Sequence, residues 1–144
     1  NVWQALNEID VMLDSFPHSG GTMVHDSIWM GVPLLTLASR PPLGRIGTSI
    51  LTNLGLADWV AESEDDLLAK TLAISRDRNG LAELRRGMRA RIGSSPLRDE
   101  TGFARAAEAA YREMWRRWCV GEAVGPFEIT AEGEVRQDVS SRRA

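Results

Sequence analysis

With 144 residues, 43% of them hydrophobic, the chain is long enough for one domain with a sizeable core. No apolar run approaches the length of a membrane span, no signal peptide is visible, and the single Cys119 excludes an internal disulfide framework. One cysteine fits a reducing compartment, with the cytoplasm as the default. The net charge of −3 is spread unevenly: −4 over residues 1–63, +3 over 64–119 and −2 over 120–144. The arginines of the middle segment alternate with acids at helical spacing, as in Glu108–Arg112 and Glu113–Arg117. That pattern describes solvated helix faces, so no nucleic-acid partner and no membrane are expected. The chain opens on Asn1 rather than Met, and so reads as a fragment or a processed product.

Residues 1–8 read as the tail of a helix or a loop entering a first strand. Ile9 to Leu13 form a hydrophobic run broken only by Asp10, as in a parallel strand covered on both faces. Phe16-Pro17-His18-Ser19-Gly20-Gly21-Thr22 follows as a small-residue loop, with a helix beginning near Thr22 and running to Met30. Gly20 and Gly21 carry no Cβ, so a ligand can approach the backbone closely there. The first amides of the helix lack intrahelical partners, and the helix dipole favours an anion beside them. Asp26 lies four residues beyond Thr22 on the same face, placed to accept hydrogen bonds from ribose hydroxyls. Together these residues make a candidate phosphate or pyrophosphate cradle. Taken on spacing alone they also fit, and more commonly mark, a plain tight turn followed by an acid that answers the dipole. There is no G-x-G-x-x-G pattern and no Walker lysine, Lys70 being the only lysine.

Gly31 and Pro33 stop that helix, and Val32 to Leu37 make a second strand. Ligands in parallel sheets bind at the carboxyl ends of strands, where the Ser19–Thr22 loop and the following 38–44 loop both lie. Arg40 and Arg45 border that crevice, either as phosphate partners or as surface and helix-start residues. Ile46 to Leu54 form a short helix stopped by Gly55, and Leu56 to Ala61 a third extended piece with Trp59 packing inward. Ser63 and Asp66 resemble a capping box opening a helix through about Arg76, which explains the acids Glu64 to Asp66 without a metal. Asn79-Gly80 reads as a turn, and Leu81, Leu84, Met88 and Ile92 as one face of the next helix, broken at Ser95-Pro96. A long final helix carries the stripe Phe103, Ala107, Ala110, Tyr111, Met114, Trp118, a spacing that usually marks core. From Val120 on, a weak hairpin over Phe127–Val135 is possible within a mostly disordered tail ending Ser140-Ser141-Arg142-Arg143. The expected division is residues 1–119 and a tail of 120–144.

Three stretches, IDVMLDSFPHSGGTMVHDSIWMGVPLLTL (9–37), GRIGTSILTNLGLADWVA (44–61) and SSPLRDETGFARAAEAAYREMWRRWC (94–119), resemble the end of the O-linked N-acetylglucosamine transferase family in its bacterial SPINDLY-like form. The resemblance implies an α/β fold: a Rossmann-like parallel sheet with flanking helices, the distal part of the second domain of a GT-B glycosyltransferase. It also implies transfer of a sugar from UDP-N-acetylglucosamine, or a related nucleotide sugar, to Ser or Thr of a protein or peptide acceptor, with inversion. Pyrophosphate and ribose roles then fall on Ser19, Gly20, Gly21, Thr22, Met23 and Asp26. Met23 departs from the family, whose members usually carry Thr-Thr where this chain has Thr22-Met23. The family's catalytic groups, its first Rossmann domain and its helical repeats precede the region seen here. A terminal helix of a GT-B protein often crosses onto that first domain, so part of the aromatic stripe would face an absent partner.

His18, at the strand end, is the better placed of the two histidines to contact donor or acceptor; His25 reads as a helix-surface residue. No Ser-His-Asp order, H-E-x-x-H or Cys/His cluster supports a hydrolase or a zinc site. No D-x-D motif is present, so neither a metal nor another cofactor is expected, and the helix start would stabilise the departing UDP. Two other classes remain open at this stage: another nucleotide-sugar transferase or epimerase module, and a non-catalytic interaction remnant.

Overall fold

The computed structural model describes residues 1–130 and 132–136. It divides into two compact units, Asn1–Arg98 and a second beginning at Asp99. In the first, helix α1 (Val2–Asn7) leads into strand β1 (Met12–Leu13), helix α2 (Gly21–Trp29) and strand β2 (Leu34–Leu37). A 3-10 turn at Pro42–Arg45, helix α3 (Ile46–Asn53), a second 3-10 turn at Ala57–Trp59 and strand β3 (Val60–Ala61) follow. Helices α4 (Glu64–Arg76) and α5 (Arg78–Gly93) and a 3-10 turn at Pro96–Arg98 complete it.

The three strands form a parallel sheet in the order β1-β2-β3, with Met12 opposite Leu34 and Thr36 opposite Val60. The expected α/β fold class therefore holds, with β1 and β2 as parallel neighbours. The strands are shorter than the apolar runs suggest. Ile9 lies outside β1, and the Ile9 and Asp10 carbonyls accept from Arg85 Nη1 at 2.6 and 2.7 Å instead of entering the ladder.

Two glycines end helices as the sequence predicts. Gly31, at φ +78°, follows α2, and its N–H donates to Ile28 O while Val32 N–H reaches Ser27 O. Gly55, at φ +66°, closes α3 in the same way, with Leu56 N–H on Leu51 O. Both are left-handed positions where a Cβ is strained, and each satisfies carbonyls the helix end would orphan. The core lies between the sheet and helices α2, α3 and α5, built from Val24, Ile28, Leu34, Leu51, Leu54 and Met88 with their neighbours. Trp59 packs against this cluster from the side.

The cap of α4 forms on Ser63, whose Oγ accepts from Asp66 N–H at 3.1 Å. Asp66 reaches back to Glu62 N–H at 3.0 Å rather than to Ser63 itself. The expected turn at Asn79-Gly80 is corrected: both lie in the first turn of α5. Asp77 caps that helix, taking the Gly80 N–H at 2.9 Å, and the first turn tolerates glycine because its amides need an outside acceptor in any case.

The second unit holds helix α6 (Glu100–Cys119) and an antiparallel hairpin, β4 (Glu128–Ile129) with β5 (Val135–Arg136). The hairpin's Gly133 sits against Ala109 and Arg105 of α6. The buried positions of α6 are Gly102 and Glu113, not the aromatic stripe. Phe103 and Trp118 are each 77% exposed, and Tyr111, Met114 and Trp115 are exposed too. The core reading of the stripe is thus corrected, while its exposure accords with the expectation that part of it faces an absent partner. The tail residues Ser140 to Arg143 lie outside the described residues. Among the described residues no helix is long and apolar enough to cross a membrane.

Candidate functional site

The chain leaves β1 at Asp14 and enters α2 at Gly21, and the intervening loop is tied down by one carboxylate. Asp14 Oδ1 accepts the Gly20 N–H at 2.9 Å. Its Oδ2 accepts two hydroxyls, Ser19 Oγ at 2.6 Å and Thr36 Oγ1 at 2.8 Å. Ser19 Oγ in turn accepts the Gly47 N–H of α3 at 3.0 Å. Ser19 is 1% exposed and Thr36 2%, so this knot sits under the loop rather than on it. Further out, Ser15 Oγ donates to His18 O and Ser19 N–H to Leu43 O, which draws the 38–44 loop against the Gly-Gly loop.

At the start of α2 most donors are spent. Gly21 N–H donates to Ser19 O at 3.1 Å and Val24 N–H to Gly20 O at 2.8 Å. The amides between them, Thr22 and Met23, meet no acceptor among the described residues. Thr22 and Met23 are exposed, Met23 at 39%. The carboxylate of Asp26, one turn along on the same face and half-buried, takes no hydrogen bond or ion pair from any described residue. Two adjacent free N–H groups at a helix start, with a free carboxylate one turn behind, can meet a phosphate and a polyol together.

The glycines of the loop have no conformational need to be glycine. Neither has positive φ, Gly20 standing at −82°. A Cβ on Gly20 would make only ordinary contacts, the nearest being Asp14 Oδ1 at 3.6 Å, and one on Gly21 would meet nothing within 4 Å. Gly21 therefore faces open space, where a side chain would obstruct an incoming group and nothing in the protein.

The remaining predicted residues fall into separate places. The Ser19 hydroxyl is engaged inside the knot, and its N–H and carbonyl are bonded to Leu43 O and Gly21 N–H, so the buried Ser19 offers no open group of its own. His18 is exposed in the loop. His25 Nδ1 lies 3.0 Å from Gly21 O and carries the proton when that bond forms. Arg45 and His25 border one shallow cleft with Thr48 and Leu97, while Asp26 also edges a small apolar pocket with Trp29 and Ile50. A broader cleft, about 1090 Å³, opens by Asp10, Thr71, Ser75 and Arg85 and contains none of the predicted site residues. Among the described residues no three His, Cys, Asp or Glu side chains are disposed to hold a metal.

The sequence reading missed Asp14, Thr36 and Gly47. Each had a signal: an acid ending an apolar run, one hydroxyl in the otherwise apolar strand Leu34-Leu35-Thr36-Leu37, and a glycine in the first turn of α3. A Cβ on Gly47 would collide with the Asp14 and Thr36 side chains, so the glycine lets α3 close onto the knot.

The profile of Glycosyl transferase family 41 matches residues 6–106. A rice (Oryza sativa subsp. japonica) protein named probable UDP-N-acetylglucosamine--peptide N-acetylglucosaminyltransferase SPINDLY is 41% identical over 120 residues, which is 83% of this chain and 13% of that protein. The barley (Hordeum vulgare) protein of the same name is 39% identical over 131 residues, 90% of this chain and 14% of its own length. Among solved structures, a Thermobaculum terrenum O-GlcNAc transferase carrying a K341M substitution superposes with a TM-score of 0.76 at 36% identity, covering 85% of this chain and 24% of that one. The chain thus spans about one seventh of the length of these curated relatives. Sequence profile, relatives and fold agree, and the chain belongs to glycosyl transferase family 41.

Proposed function

We propose that this chain is the UDP-sugar-binding portion of an inverting protein O-glycosyltransferase, the distal part of the second Rossmann-like domain of a GT-B enzyme. The observation that carries the reading is the pair of unpartnered amides, Thr22 and Met23, beside the unpartnered Asp26 carboxylate. The amides receive the pyrophosphate and Asp26 the ribose hydroxyls, while Gly20 and Gly21 leave the approach open. The relatives' names supply the donor and acceptor classes, UDP-N-acetylglucosamine and a peptide. In the reaction a Ser or Thr hydroxyl oxygen bonds to the anomeric carbon as the bond from that carbon to the UDP oxygen breaks. UDP leaves with the electron pair, and the hydroxyl proton passes to a base outside this chain.

This chain's own part is to hold the leaving group. The dipole and free N–H groups of α2 face the charge that grows on the pyrophosphate, which is stabilisation without a metal. The catalytic groups, a first Rossmann domain and helical repeats belong to the rest of the protein, and the isolated fragment is inactive on this reading. The exposed aromatic ridge of α6 suits docking against that absent first domain. The single cysteine supports a cytoplasmic setting.

Calorimetric titration of the intact protein with UDP, with and without magnesium, tests the reading. Asp26→Ala should weaken binding about tenfold to a hundredfold, since a charged acceptor is worth roughly 1.5–3 kcal/mol. Gly21→Val should weaken it further, because a Cβ there projects into open space where the phosphate would approach. Met23→Thr should bind as well or better. An Asp26→Ala variant that binds like the parent, or binding that requires the metal, overturns the assignment.

A further inference from the structure

We infer that Asp14 is the positioning residue of the donor site, holding the start of α2 where its Thr22 and Met23 amides can meet a nucleoside diphosphate. The inference rests on the reading of Gly20 to Asp26 as the pyrophosphate and ribose cradle. Asp14 is half-buried and acts through the residues it holds. It fixes Gly20, the N-cap of α2, through a hydrogen bond to that residue's N–H, and so sets where the next amides emerge. Its other oxygen fixes Ser19 to β2 through Thr36 and, through the Ser19 hydroxyl, to the first turn of α3 at Gly47. One carboxylate therefore joins the end of β1, the loop, β2 and α3 at a single point.

The choice of a carboxylate is itself informative. All three donors on Asp14 are neutral, two hydroxyls and one amide, and no cation pairs with it among the described residues. A negative charge under an anion site opposes the anion, so its presence needs a compensating reason. That reason is acceptor capacity: Oδ2 receives two hydroxyl protons at once, which an asparagine amide nitrogen cannot do. Asparagine would keep the acceptor for Gly20 N–H and force the hydroxyls to reverse, while Ser19 Oγ already accepts from Gly47.

The test compares UDP with uridine, which lacks the diphosphate, by titration and competition on the intact protein and its Asp14→Asn, Asp14→Ala and Thr36→Val variants. A residue that positions the diphosphate amides governs the advantage of UDP over uridine; a residue that only supports folding weakens both ligands alike. Asp14→Asn should raise the Kd for UDP roughly tenfold, Asp14→Ala should raise it more and Thr36→Val less, with the Kd for uridine unchanged in each. If Asp14→Ala fails to fold, Asp14→Asn and Thr36→Val carry the comparison. Equal loss of both ligands, unchanged UDP binding, or tighter UDP binding by Asp14→Asn would each overturn the inference. If Asp26→Ala weakens UDP while the Asp14 variants do not, this inference fails alone. If the parent shows no preference for UDP over uridine, the donor-site reading fails and this inference with it.

Discussion

Asp14 and Glu113 each gather several donors on one carboxylate, but the donors come from different distances along the chain. Those of Asp14 lie five, six and 22 residues away, on two separate pieces of backbone, the loop before α2 and strand β2. Those of Glu113 lie three and four residues away on its own helix: Arg116 through Nε and Nη2 at 2.8 and 2.7 Å, and Arg117 through Nε at 2.8 Å. The Arg116 hydrogen bonds, then those of Arg117, hold the Glu113 carboxyl at about 2, well below its ordinary 4.5. Arg116 bonds Glu122 as well, just past the helix end. The first carboxylate is neutralised by dipoles and ties elements together; the second is neutralised by charges and trims one helix. The difference teaches where each region is fragile: the site to loss of geometry, the helix to acid and salt.

The largest expected effect follows from removing the long-range hub. Asp14→Ala leaves the donors on Gly20, Ser19 and Thr36 without their acceptor, and unfolding by urea should show a loss of about 3 kcal/mol or more. A loss below about 1 kcal/mol would mean the donors find other partners, and the contrast with Glu113 would dissolve. Gly47→Ala comes next, because its Cβ meets the Asp14 and Thr36 side chains and α3 must back away. The same measurement should give about 1–3 kcal/mol, the usual range for overpacking. A purely local hydrogen bond offers the reference: Ser63→Ala removes the cap of α4 and should cost about 1 kcal/mol.

The smallest effect at neutral pH belongs to Glu113→Gln, and it is distinguished by its pH dependence. The folded carboxyl titrates below its unfolded value, so its contribution is present above about pH 4.5 and is lost as pH falls through about 2. Helicity followed by circular dichroism should fall over that window in the parent by more than in the glutamine variant. Parallel acid limbs would show that the arginine pairs contribute nothing to the helix.

The parts of this chain that were legible in its sequence are those set by neighbours in sequence. Ser63 and Asp66 announced the cap of α4, and Gly31 and Gly55 announced helix ends, because each acts within one helical turn. The parallel pairing of β1 and β2 followed from two apolar runs separated by a helix. Asn79-Gly80 misled because an acid at Asp77 converts a turn-like pair into a first helical turn. The aromatic stripe of α6 was readable as an apolar face but not as core or as an uncovered surface, because periodicity does not say what covers it. For the candidate site, Gly20, Gly21, Thr22 and Asp26 could be grouped from one loop and one helix face, while Met23 joins them only through the family resemblance. Asp14 could not, because its meaning depends on Thr36 and Gly47, which reach it only through the fold.

The central claim, that the α2 start receives a pyrophosphate, is tested most directly on the two amides themselves. With 15N-threonine and 15N-methionine in the intact protein, the Thr22 and Met23 amide resonances can be followed as UDP and then uridine are added. The account predicts that UDP moves both amide protons downfield, as new hydrogen bonds to phosphate oxygens form, while uridine leaves them in place. Saturable UDP binding with those two resonances unmoved would contradict it.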